Sequence, residues 1–299
     1  MIDVNTQKFS LGKFLTGFII LCVVMIVVAM TTSGLNKETD DEKRKNDIVE
    51  IARAIGAYKS SGAIPASYGG WCDLKQDGTG CPGFPGLISQ YIRAIPRDPK
   101  GGYYKYYSDG RNFNLMAILA DEVSSYTYSS FSSSYSLQGR NFLTINQSNG
   151  SEKGVINGFE PYGETVLASN DAAYSGSYSV RVDISANNSG VVIDAPIGDI
   201  PKGQTVSIQA MVWIPAGKVV SFGIRGDNGS GLREIDAVKI DGNGSWQVAK
   251  LSYTLTEKWN KVGIIVYSAN YNINSNFYFF VDDLKLEYKK EPTAWVLGI

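Results

Sequence analysis

The chain has 299 residues, with 28 basic and 29 acidic side chains and no histidine. A balanced charge without a strongly basic stretch counts against nucleic acid as a partner. The lack of histidine removes the commonest general base and the commonest transition-metal ligand, which counts against a Ser-His-Asp hydrolase or a zinc enzyme.

The first predicted element is a long helix over residues 14–60. No charged residue occurs from Phe14 to Asn36, and about 20 apolar residues are enough for a helix to cross the hydrocarbon core of a bilayer. Beyond Lys37 the pattern predicts an amphipathic helix, because apolar residues recur at steps of three or four. That stripe consists of Ile48, Ile51, Ala52, Ile55 and Tyr58.

The flanking charges predict the orientation of this helix. Residues 1–13, a cytoplasmic or leader segment, carry Lys8 and Lys13, whereas the segment after the apolar run is rich in acidic residues. The positive-inside rule then places the N-terminus in the cytoplasm and the bulk of the chain outside. A cleaved secretory signal peptide is the alternative, although the apolar run is longer than usual for one.

Residues 61–123 are expected to form a small globular part. Cys72 and Cys81 flank a Gly- and Asp-rich loop, and outside the cytoplasm such a pair predicts a disulfide. Two β-rich runs, Tyr103–Tyr107 and Asn112–Leu119, flank an Asp-Gly turn, which predicts a hairpin. We expect the apolar stripe of the helix to cover one face of this sheet.

Residues 8–123 resemble the type IV pilins and the pseudopilins of type II secretion systems. The matching pieces are the apolar helix, DIVEIARAIGAYKSSGAIPAS and IRAIPRDPKGGYYKYYSDGRNFNLMAIL. The resemblance implies a subunit whose helices bundle into a filament after assembly from the inner membrane, with Phe14, Phe18, Ile26 and Gly34 as assembly or anchor positions.

The chain departs from the pilin pattern at the start of the helix. Gly12 is followed by Lys13, and Gly17 stands where pilins carry a glutamate. This argues against cleavage of a leader after Gly12. It is consistent with a minor, tip-located subunit or with an anchor that never polymerises.

Two further segments complete the expected architecture. Residues 124–138 are rich in serine and tyrosine and are interpreted as an exposed linker or a loose edge strand. From residue 139 to 299, short alternating runs separated by Gly, Asn, Asp and Pro predict an all-β jelly-roll sandwich. The fold class is therefore an α+β pilin-like unit joined to an all-β sandwich.

Residues 139–297 resemble carbohydrate-binding-module-like jelly rolls. The resemblance is carried by GRNFLTINQSNG, NGFEPYG, AYSGSYSVRV, GSWQVAKLSYTL and FYFFVDDLKLE followed by PTAW. It implies a structural calcium ion, whose hard oxygen ligands would come from carboxylates and loop oxygens. The matching positions are Glu160, Ser177, Asp282 and Asp283.

A glycan platform is predicted on the strand VSIQAMVWIP. Period two puts Val206, Ile208 and Val212 on one face, and Gln209 and Trp213 on the other. A tryptophan beside a glutamine on a non-core face suits a sugar, and Tyr267 and Arg225 are candidates to join them. Glu234 and Asp236 flank Ile235 and are weighed as a glycosidase pair, but no other feature supports catalysis.

The sequence favours a non-enzymatic, pilin-like subunit of a bacterial surface filament that displays an adhesin-like domain. Its partners would be further copies or other pilins, the inner membrane before assembly, and a glycan. The alternatives are a monomeric membrane-anchored glycan-binding protein and a minor pseudopilin of a secretion or DNA-uptake machine.

Overall fold

The structure is a computed structural model. It describes residues 37–60, 64–67, 70–77, 79–81, 84, 90–108, 110–130, 133–152, 154–163, 165–268, 276–295 and 298. The predicted membrane-spanning half of the first helix, with Phe14, Phe18, Ile26 and Gly34, lies outside these residues. Within them, no helix combines the length and apolarity that a membrane crossing needs.

The described chain begins in a helix, α1, that covers residues 37–59. Its predicted stripe is confirmed, because Ile48, Ile51, Ala52 and Ile55 are all buried in one cluster. Polar side chains fix the helix as well: the buried Arg44 donates through Nε to Asp98 Oδ2 at 2.6 Å. The stripe therefore packs as an amphipathic helix should, on a sheet.

That sheet, the N-terminal sheet, is an antiparallel meander in the order β1-β2-β3-β4-β5. Its core face supplies Tyr104, Tyr106, Phe113 and Leu115 to the cluster under α1, and the Cys72–Cys81 disulfide is confirmed. The strands are β1 (Cys72–Leu74), β2 (Tyr104–Ser108), β3 (Phe113–Ile118), β4 (Ser124–Ser129) and β5 (Ser134–Gly139).

Residues 124–138, interpreted as an exposed linker or a loose edge strand, form most of β4 and β5, and β5 is an edge strand of the sheet. The two strands pair along their whole length, from Ser124 opposite Gly139 to Ser129 opposite Ser134. Serine and tyrosine suit a strand that has one solvent-exposed face. They are also typical of linkers, so the composition did not reveal that this segment pairs with β3 as part of the sheet. The sheet then runs directly into the second unit, since Phe142 N donates to Leu286 O at 2.9 Å.

The second unit confirms the predicted sandwich. A single-turn helix, α2 (Ile145–Ser148), precedes two antiparallel sheets. The first sandwich sheet has the order β13-β10-β15-β8-β7, and the second has the order β12-β11-β14-β9-β6. The strands are β6 (Glu160–Tyr162), β7 (Val166–Ser169), β8 (Ser179–Ile184), β9 (Ser189–Asp194), β10 (Thr205–Trp213), β11 (Val219–Asp227), β12 (Leu232–Asp241), β13 (Trp246–Thr254), β14 (Lys261–Ser268) and β15 (Phe277–Glu287).

Period-two alternation fills the space between the two sandwich sheets. Val206, Ile208 and Val212 of β10 are buried as predicted, and they face residues of the second sheet such as Phe222 and Ile264 in one continuous core. Each strand therefore sends its other residues to an outer face. These two outer faces carry the candidate sites.

Candidate glycan-binding site

The outer face of the second sandwich sheet carries a trough that runs across its strands. One wall is a row of residues that pair across neighbouring strands. Tyr162 lies opposite Gly190, Gly190 lies opposite Tyr267, and Tyr267 lies opposite Ser221. The tyrosine rings of Tyr162 and Tyr267 meet edge to face, with centroids 6.3 Å apart. The row therefore offers two aromatic side chains with a bare backbone between them.

The floor of the trough is the next row along the strands. Val192 pairs with Ile265, and Ile265 pairs with Gly223. Gly223 has no room for a side chain, because a Cβ there would lie 2.8 Å from Asp236 O and 2.9 Å from Ala237 Cβ. The floor is thus apolar and closely packed, and Val192 and Ile265 are only 1% and 5% exposed.

The opposite wall is charged. In the third row Asp194 pairs with Gly263, Gly263 with Arg225, and Arg225 with Glu234 across a bulge. Asp194 is neutralised by Lys261 at 2.5 Å. The trough includes a cavity of about 230 Å³, lined by Tyr162, Asn188, Arg225, Leu232, Arg233, Glu234, Ile265 and Tyr267.

Arg225 is the chemically notable group in the trough. It is half-buried, and among the described residues its guanidinium makes neither a hydrogen bond nor an ion pair. Glu234, directly opposite, is likewise without a partner in that part of the chain. A planar group with five donors beside a carboxylate acceptor is suited to the hydroxyls of a bound sugar.

The predicted four-residue platform is wrong as a single site. Arg225 and Tyr267 lie in the trough of the second sheet, whereas Trp213 and Gln209 belong to β10 in the first sheet. Gln209 is also buried, and its amide donates to Thr293 O and accepts from Trp295 N, at 3.2 Å each. Alternation correctly put Gln209 and Trp213 on a non-core face, but it could not show that a later segment covers Gln209 or which strands share a sheet.

Sequence reasoning missed Tyr162 and Asn188 and named Glu234 only as a possible catalytic group. Tyr162 sits on the three-residue strand β6, too short for alternation to reveal. The NGFEPYG motif was the one available signal, and it drew attention to Glu160 rather than to the tyrosine two positions later.

The predicted calcium ligands do not meet either. Glu160 is exposed on β6 of the second sheet, while Asp282 and Asp283 lie in β15 of the first. The Ser177 N–H donates instead to Glu152 Oε1 at 2.8 Å. Across the described residues, no three His, Cys, Asp or Glu side chains are grouped to hold a metal ion.

The two aspartates are nevertheless unusual, because both are buried. Asp282 Oδ2 accepts from Tyr174 N at 2.9 Å and from Ser175 N at 3.1 Å, and Asp283 Oδ1 accepts from the Ser175 hydroxyl at 2.7 Å. Burial, with the neighbouring Asp283 carboxylate, raises the pKa of Asp282 to about 7, and burial raises the pKa of Asp283 to about 6. The four predicted positions therefore do not form one site, and calcium binding at Asp282 and Asp283 stays a prediction.

Comparison with known proteins supports the class of the second unit. Residues 135–272 match the family model described as "Carbohydrate binding domain". The match and the two-sheet topology agree: this part of the chain has a jelly-roll-like sandwich fold and is similar to the carbohydrate-binding domains that the family model describes. A search of the curated proteins found no match.

Several solved structures are similar in part. The CBM22-1 xylan-binding domain of Paenibacillus barcinonensis Xyn10C has 16% identity and a TM-score of 0.38, over 49% of this chain and 93% of that one. The enzymatically active domain of bacteriophage CBA120 tailspike protein 4 has 12% identity and a TM-score of 0.39, over 50% of this chain and 21% of that one. TmCBM61, in complex with β-1,4-galactotriose, has 14% identity and a TM-score of 0.34, over 50% of this chain and 100% of that one. Likeness at these levels carries no argument about the ligand of this chain.

Proposed function

We propose that the chain is a non-catalytic glycan-binding protein whose trough holds a saccharide. The observation that carries the proposal is the half-buried guanidinium of Arg225, which no described residue satisfies, placed across an apolar floor from the rings of Tyr162 and Tyr267. The family match of residues 135–272 supports the same ligand class. Sugar CH groups would pack on the tyrosine rings, and hydroxyls would bond to Arg225 and Glu234.

Binding without catalysis suits the position of the carboxylates. Glu234 lies exposed on β12, the edge strand of its sheet. A glycosidase acid instead needs an enclosed setting that raises its pKa, with a second carboxylate at a fixed separation. The trough is open and shallow, so it can hold a sugar without excluding water from it.

The test is the affinity of the full chain for a panel of soluble polysaccharides, measured by affinity electrophoresis. We expect Tyr267→Ala and Arg225→Ala each to weaken binding at least tenfold, which is about 1.4 kcal/mol and within the value of a buried ring or a charged hydrogen bond. The matched control is Tyr103→Ala, which removes an exposed tyrosine from the N-terminal unit. Unchanged binding by both trough variants would refute the trough as the site.

We further propose that the N-terminal unit presents this domain at a bacterial surface, with residues 14–36 as its membrane anchor and, in the pilin-like version, its filament core. The support is the packing of α1 on a disulfide-closed meander and the resemblance of residues 8–123 to pilins. Electron microscopy of cells that express the chain distinguishes the versions. Filaments are expected for the pilin-like subunit, and their absence, with the protein in the membrane fraction, would leave the monomeric anchored form.

A further inference from the structure

The outer face of the first sandwich sheet carries a row of aromatic side chains that the proposed function does not use. Trp246 of β13 pairs with Trp213 of β10, and Trp213 pairs with Phe280 of β15. Tyr278, two residues earlier on β15, shares their face. We call Trp246, Trp213, Phe280 and Tyr278 the aromatic strip.

The rings of the strip support one another. Trp213 stacks on Tyr278, with centroids 6.0 Å apart and planes 15° apart, and meets Phe280 at 5.6 Å. The indole Nε1 of Trp213 donates to Gly244 O at 3.0 Å, and the Arg181 guanidinium lies over the Tyr278 ring at 4.2 Å from its centroid. The positions of these rings are therefore fixed before any ligand arrives, which lowers the entropy cost of binding.

The strip is partly open to solvent: Trp213 and Trp246 are half-buried, whereas Phe280 is only 2% exposed. Toward Gln209 the same face is covered by the segment around Thr293 and Trp295. At the strip, Tyr278 is 37% exposed, and the neighbouring Tyr174, which contacts Trp246 at 5.9 Å, is 51% exposed. A contiguous apolar patch left open on a surface points to an interaction.

A polar pocket adjoins the strip at Tyr278. It has a volume of about 270 Å³ and is lined by Arg181, Asp183, Ile184, Ser185, Asn276, Phe277 and Tyr278. Arg181 is ion-paired there with Asp183 at 2.9 Å and with Asp171 at 3.0 Å. The amide of Asn276 and the remaining donors and acceptors of this ion pair lie at the end of the row of rings. Rings followed by hydrogen-bonding groups match a pyranose, which has apolar faces and a rim of hydroxyls, better than they match a purely apolar partner.

We propose that the aromatic strip and its polar pocket form a second saccharide-binding surface, independent of the trough. The two surfaces lie on the outer faces of two sheets that pack about 10 Å apart, so they point in opposite directions. One molecule would then hold two separate glycan chains, one on each surface, and would cross-link them. This cross-linking rests on the proposed function of the trough, whereas saccharide binding by the strip does not.

The test uses the purified full chain and a panel of xylan, mixed-linkage β-glucan and β-1,4-galactan, with binding measured by affinity electrophoresis. Trp246→Ala removes a half-exposed ring of the strip, and Tyr174→Ala removes the exposed ring beside it. Tyr267→Ala with Arg225→Ala disables the trough, and Tyr103→Ala is the control. Thermal unfolding verifies that each variant is folded. Sedimentation velocity reports the oligomeric state.

We expect the trough-disabled protein to keep a residual binding that Trp246→Ala then removes, and wild-type protein to precipitate a soluble polysaccharide that neither disabled form precipitates. Loss of all binding in the trough-disabled protein would overturn the second surface and leave the trough intact. Normal binding in that protein, abolished by Trp246→Ala, would refute the trough alone. Wild-type dimers that Trp246→Ala converts to monomers would make the strip a contact between copies and overturn the proposal.

Discussion

The buried pair Asp282 and Asp283 gives the sharpest prediction for stability. Unfolded aspartate loses its proton near its ordinary pKa of 3.8, whereas the folded protein holds the proton of Asp282 up to a pKa of about 7. Between these values the folded state binds more protons than the unfolded state, so the free energy of unfolding falls as the pH rises. Over the whole interval from pH 3.8 to pH 7, the titration of Asp282 lowers the free energy of unfolding by about 4 kcal/mol at most. This corresponds to a melting temperature that is lower by about 10 °C.

The assay is thermal unfolding from pH 5 to pH 8 in the presence of a chelator, compared between wild type and Asp282→Asn. Asparagine at position 282 cannot titrate, and Asp283, with its pKa of about 6, is the group of the pair that still does, so we expect the melting temperature of this variant to change less over this range. Asp241→Asn, on the exposed end of β12, is the matched control and should follow the wild type. A wild-type stability that rises from pH 5 to pH 8, in parallel with Asp282→Asn, would refute the reasoning.

Three further predictions concern calcium, the disulfide and Arg44. Millimolar calcium should restore the stability of the wild type at pH 8, because a cation can replace the lost proton, and should have little effect at pH 5; no shift in melting temperature at pH 8 would end the calcium prediction. Serine at both Cys72 and Cys81 should lower the free energy of unfolding of the N-terminal unit by about 2–3 kcal/mol, as the loop-entropy relation gives for a separation of 9 residues. Urea denaturation measures this change, and a clearly smaller loss of free energy would contradict the prediction. Arg44→Ala should lower the free energy of unfolding by about 3–5 kcal/mol, because it removes the ion-pair partner of the buried Asp98. Replacement of the exposed Arg53 by alanine should leave that free energy unchanged, and equal urea midpoints for the two variants would contradict the prediction.

Local patterns predicted the elements of this chain well. The spacing of Ile48, Ile51 and Ile55 indicated which face of α1 is buried, and the Asp-Gly turn indicated the hairpin of β2 and β3. Alternation likewise assigned Val206, Ile208 and Val212 to the core. In each case the periodicity of a helix or a strand decides which side chains face inward, and that periodicity is written in the sequence.

The sites depended on long-range pairing, which periodicity does not encode. Arg225 and Trp213 are twelve positions apart and both face outward, yet they lie on opposite sheets. Gln209 reads as an outward polar residue until the segment near Trp295 covers it. Tyr162 meets Tyr267 only because β6 pairs with β9 and β9 with β14, a register that no local pattern reveals.

The place of β15 in the first sandwich sheet has a consequence for synthesis. This strand, the last of the sandwich in the chain, lies between β10 and β8, so before the ribosome has made residues 277–287 that sheet consists of two separate halves. The helix and meander of residues 37–139 need nothing downstream for their own pairing and can fold during translation, as earlier units generally do. We expect the growing chain to carry a folded N-terminal unit ahead of an open sandwich, which closes only when its central strand emerges.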